Sequence, residues 1–126
     1  MDLNLSSHDR SLQERARYFA QAQLFPNEMA IEEHGRLPTA IMDDIRQAVL
    51  KARFNAINHA REHCGQGLNL FQQALVNEEF GKATGGIWGA VWQPAIPLKD
   101  GTSEQRQRYL LPSCRGERTY WGEGEL

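Results

Sequence analysis

The chain has 126 residues, of which 40% are hydrophobic and 24% are charged, and these proportions indicate a globular domain rather than a disordered segment. Its formal net charge is −2, which gives no electrostatic reason to expect nucleic acid or an anionic membrane as a partner. No run approaches the roughly 18 apolar residues of a membrane span, and the acidic start at Asp2 is unlike a secretory signal, so we expect a cytoplasmic protein.

Two helices are predicted before residue 36. The first begins at Ser6 or Ser7, either of which can cap it, and it ends at about residue 23 or 24 because Pro26 follows. The second runs over Asn27–Glu33 and ends at His34 and Gly35. The apolar stripe of the first helix comprises Leu12, Ala16, Phe19 and Ala20.

Two further helices and a loop follow. The third helix begins at Thr39, and the loop of residues 54–68 lacks periodicity and is predicted to be ordered. Asn69 caps the fourth helix, which ends near Gly81 or Gly85. The buried face of the third helix is predicted to comprise Ile41, Ile45, Ala48, Val49 and Ala52.

The last third of the chain predicts a fifth and a sixth helix. The fifth starts at about Ile87 and is cut by two prolines. The sixth covers residues 103–111, is capped by Thr102 or Ser103, and is ended by Pro112. Since no segment of useful length alternates with a period of two, we predict an all-α, compact orthogonal or bundle-like domain of five or six helices. The one place where a strand could open is Tyr120–Trp121.

A zinc-protease pattern occurs in the predicted loop. His59, Glu62 and His63 match H-x-x-E-H, in which two imidazoles four residues apart on a helix share a zinc ion and the glutamate serves as base. The alternative is a solvated loop, because Gly65 and Gly67 stop any helix within about one turn and no motif supplies a further ligand.

Three other features invite chemical interpretation. Glu78 and Glu79 are adjacent on a helix, point about a hundred degrees apart and therefore share a proton poorly, and Lys82 offers Glu78 an ordinary surface pair. The glycines at 85, 86 and 89 lack the strand and the Lys-Ser/Thr ending of a phosphate loop. Cys64 and Cys114 match no metal spacing and are expected to be free thiols.

Trp88 and Trp92 are four residues apart, so a helix would place both indoles on one face. Two interpretations stay open from the residues alone. The pair belongs to the core, or it forms the wall of an apolar ligand pocket.

Four segments resemble characteristic segments of the acyl-CoA dehydrogenase family, in the family's order and with nearly its spacing. Ala22–Pro26 resembles the ending "F-A-x-x-x-L-x-P" of the family's first helix, and Glu33–Pro38 resembles "D-x-x-G-x-F-P". Gly65–Gly81 resembles "G-G-x-G-L-S-x-x-x-x-A-L-V-x-E-E-L-G". Gly101–Pro112 resembles "G-T-E-E-Q-K-x-R-Y-L-P-x-L".

The resemblance implies an FAD-dependent oxidoreductase of fatty acid metabolism that oxidises the α–β bond of an acyl-CoA thioester. In the family a carboxylate base removes the α-proton and flavin N5 takes the β-hydride. The base lies in the third of three domains, the flavin lies mainly between the second and third, and the enzyme is usually a homotetramer. Residues 1–118 would be the amino-terminal helical domain and residues 119–126 the truncated start of the sheet domain. We therefore expect no catalytic residue and no FAD binding in this chain alone.

The resemblance also implies a set of substrate-binding residues. By helix register, Trp88, Gly89 and Trp92 match positions that line the family's acyl tunnel. Two indoles there would fill much of a long-chain pocket, and residues 93–100 look about one helical turn shorter than in many members. Both features favour a short or altered substrate, or a pocket no longer used.

Three positions depart from the family's pattern. His59 replaces a usual proline, Gln72 replaces a frequent glutamate, and Cys64 replaces the first of two paired glycines, where a Cβ strains a tight turn. The primary hypothesis is the amino-terminal domain of an acyl-CoA dehydrogenase-like enzyme, with acyl-CoA as substrate of the complete enzyme and a homo-oligomer or missing domains in trans as partners. The alternative is a decayed paralogue that acts only as a helical interaction module.

Overall fold

The computed structural model describes residues 4–117, and within that range the chain is helical and has no β-strand. This confirms the predicted all-α class. The strand predicted at Tyr120–Trp121 and the domain boundary predicted after residue 118 lie outside the described residues. Among the described helices we find none with the length and apolar character that a bilayer span requires.

The described chain divides into two units. The first takes in residues 4–45 and 70–90, and the second takes in residues 46–69 and 91–117. The first contains helices α1 (Ser7–Phe19), α2 (Glu28–His34) and α4 (Leu70–Phe80). Helix α3 (Thr39–Ala52) contributes residues to both units.

The first two helices begin and end close to their predicted limits. Ser6, rather than Ser7, caps α1, because its side-chain oxygen accepts a hydrogen bond of 3.1 Å from the backbone N–H of Asp9. A π-helical turn, Ala20–Leu24, extends α1. Helix α2 ends at Gly35, which adopts the left-handed conformation with φ of +71° that glycine tolerates best.

Helices α1 and α4 run parallel in the first unit. Gln72 donates to Asp9 at 3.0 Å, and near the other ends of the helices the Phe19 and Phe80 rings lie 5.6 Å apart. Because residues with higher numbers on α1 contact residues with higher numbers on α4, the two helices run in the same direction. The apolar side chains buried on these two helices are Leu12, Ala16, Phe19, Leu75, Val76 and Phe80.

The second unit is built around the loop that follows α3. A buried cluster comprises Ala56, Leu110 and Cys114, with Cys64 and Leu98 packed against it. The loop is ordered, as predicted, and it closes on itself through backbone hydrogen bonds, among them one of 2.8 Å from Gly67 to the His59 carbonyl. Phe54, Ile57 and Gly65 are also buried.

The last helical segment continues past its predicted end. It consists of α5 (Ser103–Gln105), a π-helical turn (Arg106–Leu110) and α6 (Leu111–Cys114), so Pro112 does not end it. A proline lacks the N–H for the helical ladder, and its ring crowds the carbonyl four residues earlier. The wider π turn directly before Leu111 relieves that crowding, and the helix therefore continues to Cys114.

Candidate functional site

The predicted substrate-binding residues begin on a turn of the first unit. Gly85 and Gly86 adopt left-handed backbone conformations, and a Cβ at Gly85 would collide with the Ile31 side chain of α2. The Glu28 carboxylate of α2 accepts a hydrogen bond of 2.9 Å from the backbone N–H of Thr84. Helix α2 therefore holds the turn that presents the following residues.

Trp88 lies on this turn and points largely into solvent. The 3₁₀ turn Ile87–Ala90 buries Ile87, half-buries Gly89 and leaves Trp88 56% exposed. An exposed indole does not stabilise a core, so of the two interpretations left open for Trp88, the structure excludes the core. A large rigid aromatic side chain at the surface offers apolar contact area to a partner or ligand.

Trp92 has a different environment, in the second unit. Its indole N–H donates a hydrogen bond of 2.9 Å to the Ser113 carbonyl, and the side chain is only 6% exposed. Gly116 (φ +77°) lies against the ring, and a Cβ there would come within 2.7 Å of Trp92 Cζ2. Trp92 is therefore a core residue of this unit.

The predicted fifth α-helix is wrong. Helical hydrogen bonding after Ile87 lasts only one 3₁₀ turn and ends at Ala90, so Trp88 and Trp92 do not share an α-helical face. Three glycines in the five residues from Gly85 to Gly89 make a longer helix costly, and Pro94 follows closely. Trp88 and Gly89 lie on one 3₁₀ turn of the first unit, whereas Trp92 is buried in the second unit.

Glu79 is the best-enclosed carboxylate that we find among the described residues. Its side chain is 2% exposed, one oxygen accepts from Arg17 at 3.0 Å, and the other accepts from Lys82 at 2.9 Å. Burial alone would raise the pKa of Glu79, but the two hydrogen bonds and the two positive charges outweigh it and hold the pKa below its usual value. The carboxylate is ionised and both its oxygens are engaged, so it joins α1 to α4 and is not a free base.

The predicted Glu78–Lys82 pair is replaced by the Glu79–Lys82 pair. Glu78 is exposed, whereas Glu79 lies on the face of α4 that meets α1. A lysine three residues after the buried carboxylate reaches it from the edge of that face.

The H-x-x-E-H residues do not form a zinc site. Arg61–His63 is a single 3₁₀ turn, His59 Nε2 forms a hydrogen bond of 2.8 Å with the Pro94 carbonyl, and Glu62 is exposed. Residues 4–117 contain no group of three His, Cys, Asp or Glu side chains placed to hold a metal ion. Burial lowers the pKa of His59, which favours a neutral ring.

A shallow groove of about 650 Å³ lies between α2 and α3 in the first unit. It is lined by one stretch of the chain that contains His34 and Arg36 and ends at Thr39.

Two side-chain associations escaped the sequence analysis. Arg17 pairs with Glu79 across 62 residues, and Cys64 packs against the cluster that contains Cys114, fifty residues further on. Nothing in the local spacing signals either pair, because each depends on how distant segments pack.

The comparisons with known proteins agree with the helical architecture. The profile of the "Acyl-CoA dehydrogenase, N-terminal domain" family matches residues 6–117. The "Acyl-CoA dehydrogenase, short-chain specific" of Clostridium acetobutylicum is 28% identical over 123 residues, which cover 94% of this chain and 31% of that protein. The "(R)-benzylsuccinyl-CoA dehydrogenase" of Thauera aromatica is 31% identical over 133 residues, covering 93% of this chain and 33% of the relative.

A solved structure of the electron transferring flavoprotein of Acidaminococcus fermentans contains a similar chain. The TM-score is 0.73 at 28% sequence identity, over 92% of this chain and 31% of that one. The chain thus spans about a third of the length of these relatives. From the helical fold and the profile match over nearly its whole length, the chain belongs to the acyl-CoA dehydrogenase family, as a counterpart of its amino-terminal domain.

Proposed function

We propose that this chain serves as the amino-terminal domain of an FAD-dependent acyl-CoA dehydrogenase-like oxidoreductase that acts on the CH–CH group of acyl-CoA thioesters. The names of two relatives, a short-chain acyl-CoA dehydrogenase and a benzylsuccinyl-CoA dehydrogenase, support the substrate class. The chain supplies packing surface and part of the acyl pocket, and it is not catalytic alone. A homo-oligomer, or the remaining domains in trans, completes the enzyme.

The exposed indole of Trp88 is the observation that carries the pocket assignment. It is 56% exposed on a turn that contacts α2 through Gly85 and Thr84, and the neighbouring Gly89 has no side chain to obstruct an acyl group. Trp92, the other tryptophan expected at the acyl pocket, is a core residue of the second unit, where its indole N–H donates to the Ser113 carbonyl. The pocket wall is therefore Trp88 with Gly89.

The flavin is assigned to the parts of the enzyme outside this chain. The groove of the first unit is lined only by residues between 34 and 39, and the buried carboxylate of Glu79 is occupied by Arg17 and Lys82. When bound in the complete enzyme, FAD would accept the hydride.

A chimaera tests the proposal. This chain replaces the matching 31% of the C. acetobutylicum enzyme, and KM and kcat are measured for acyl-CoA substrates of increasing chain length. Trp88→Ala should raise KM about tenfold for at least one chain length while kcat changes less, because it removes apolar contact that substrate and transition state share.

Tyr18→Ala is the matched control. Tyr18 is an exposed aromatic residue on α1, 74% accessible, and its loss should leave KM unchanged at every chain length. Equal KM profiles for the parent chimaera and Trp88→Ala would refute the pocket assignment.

An interaction module remains the alternative function, because several large apolar side chains of the first unit are exposed. Met29, Leu70 and Phe71 are 68%, 83% and 54% exposed. Exposed apolar side chains favour association with a partner. A chimaera without flavin and activity, together with stable oligomers of the chain itself in size-exclusion chromatography, would favour the interaction module over the enzyme domain as the function of this chain.

A further inference from the structure

Cys64 occupies an unusual backbone position in the second unit. It follows the 3₁₀ turn Arg61–His63 with φ of +67° and ψ of 16°, in the left-handed region that disfavours any residue with a Cβ. Cysteine lacks the polar side chain with which asparagine or aspartate compensates there. The fold therefore keeps a thiol at a place where glycine would be more stable, and strained positions of this kind are frequent at functional sites.

A cation lies beside this thiol. The interaction with the Cys64 side chain raises the pKa of the Arg115 guanidinium, which also pairs with the Glu117 carboxylate at 3.7 Å, and Cys64 itself is half-buried. When a sulfur attacks a disulfide, the attacking sulfur carries the negative charge, and a neighbouring guanidinium stabilises that charge. Cys64 is thus placed as the attacking member of a thiol–disulfide exchange.

The second thiol of the chain lies in the same cluster. Cys114 is fully buried with Ala56 and Leu110, and Cys64 packs against this group. Burial raises the pKa of Cys114 to about 11, with the Cys64 charge as a second contribution. Cys114 is therefore shielded from solvent and favours the protonated thiol, and Cys64 packs against the cluster that contains it.

We propose that Cys64 and Cys114 form a redox-responsive pair, in which Cys64 captures a low-molecular-weight disulfide and Cys114 resolves the adduct into an intramolecular disulfide. The resulting bond ties the loop of residues 54–68 to the end of α6. This proposal rests on the second unit alone and is independent of the acyl-CoA assignment.

The exchange balances in two steps. The Cys64 sulfur, having lost its proton to solvent, attacks one sulfur of R–S–S–R, forms Cys64–S–S–R and releases RS⁻. The Cys114 sulfur then loses its proton to RS⁻ or solvent base and attacks the Cys64 sulfur, and the second RS⁻ leaves. Two protein thiols are oxidised to one disulfide, and one small disulfide is reduced to two thiols.

Glutathione disulfide is the probe that tests the pair, with intact mass and peptide mapping as readouts on the full chain. The wild type should end as a monomer that is lighter by two hydrogens and contains a Cys64–Cys114 peptide link. Cys114→Ser should instead accumulate one glutathionyl group on Cys64. Arg115→Gln should form the adduct several-fold more slowly, because the stabilising cation is gone.

Cys64→Gly is the control for folding, because glycine suits the left-handed backbone at this position. It should fold, by circular dichroism, and its remaining thiol should not react until the chain is unfolded in urea. The proposal is overturned if the wild type retains a glutathionyl adduct, forms a disulfide-linked dimer or keeps both thiols free. It is also overturned if Cys64→Gly reacts at Cys114 as fast as the wild type reacts at Cys64.

Discussion

The carboxylate of Glu79 has two cationic partners on separate elements, so its removal should be costly. Glu79→Gln removes the charge that Arg17 and Lys82 both contact, and we expect the free energy of unfolding to fall by about 2 to 3 kcal/mol. The estimate is below that for a fully buried ion pair, because both cations are about half exposed and water screens them. Urea unfolding followed by circular dichroism measures the change.

Glu78→Gln provides the control for that substitution. Glu78 is the exposed neighbour on the same helix, so the change should stay within about 0.5 kcal/mol. Equal losses for the two variants would show that the buried contacts of Glu79 do not stabilise the chain.

We expect protonation of His59 to lower the stability of the folded chain in mild acid. Burial lowers its folded pKa below the ordinary 6.5, and the nearby charges of His63 and Lys99 act in the same direction, against the opposing hydrogen bond to Pro94. The unfolded state then binds more protons than the folded state between the two pKa values. The stability that the neutral His59 ring contributes to the folded state is fully present above about pH 6.5 and is lost as the pH falls through the folded pKa of His59.

Urea midpoints measured between about pH 7 and pH 5 test this linkage. His59→Gln keeps a donor that can reach the Pro94 carbonyl but does not titrate, so its midpoint should depend less on pH than that of the wild type. Identical pH dependences would show that His59 is not the titrating group.

At the residue scale, local signals could be predicted and distant pairings could not. A cap at Ser6 or Ser7 and a left-handed Gly35 follow from chain-local chemistry, and strain at Cys64 follows from the family resemblance; the structure shows the cap at Ser6 and positive φ at Gly35 and Cys64. The Arg17–Glu79 pair joins residues far apart in sequence, so it depends on how α1 packs on α4. Helix spacing allows Lys82 to pair with Glu78 four residues earlier or with Glu79 three residues earlier, and the packing of α4 on α1 decides between them.

At the scale of elements, a π-helical turn precedes a proline at two places in the chain. A π-helical turn ends two residues before Pro26 and another ends two residues before Pro112. In both places the chain stays helical across the proline. The regular helix α1 ends at Phe19, and the π turn that extends it ends at Leu24, at the predicted limit. Sequence rules locate the irregularity at each proline, but whether the chain stops or continues depends on packing beyond it.

The capping box at the start of α5 gives a testable contribution. Thr102 Oγ1 accepts from the Gln105 backbone N–H at 3.2 Å, and Gln105 Oε1 accepts from the Thr102 N–H at 2.9 Å. Thr102→Ala should lower the free energy of unfolding by about 1 kcal/mol. Ser103→Ala, one position inside the helix, should leave it nearly unchanged, and a larger loss for Ser103→Ala would reassign the cap.

The elements around Trp88 show where periodicity misleads. A spacing of four between two tryptophans is typical of a helix face, but Gly85, Gly86 and Gly89 weaken the helix that such a face requires. The prediction of long helices succeeded where apolar stripes, caps and few glycines agreed, as in α1 and α3. The prediction failed after Ile87, where the spacing of the tryptophans favoured a helix and the three glycines disfavoured one.

For the whole molecule, the family could be predicted from four ordered segments, and the profile match over residues 6–117 confirms it. The position of a substrate could not be predicted from the sequence alone, since the chain spans only about a third of the length of its relatives. Trp88 is the residue on which the proposed substrate position depends, because its indole is largely exposed and does not belong to the core of the described residues.

The visible absorbance of the chimaera with the C. acetobutylicum enzyme tests the central claim most directly. If the chain is a working amino-terminal domain, the chimaera should purify with FAD and a short-chain acyl-CoA should bleach the flavin band, while the chain alone shows no flavin. Stoichiometric FAD binding by the chain alone, or a folded, flavin-loaded chimaera that no acyl-CoA bleaches, would contradict the account.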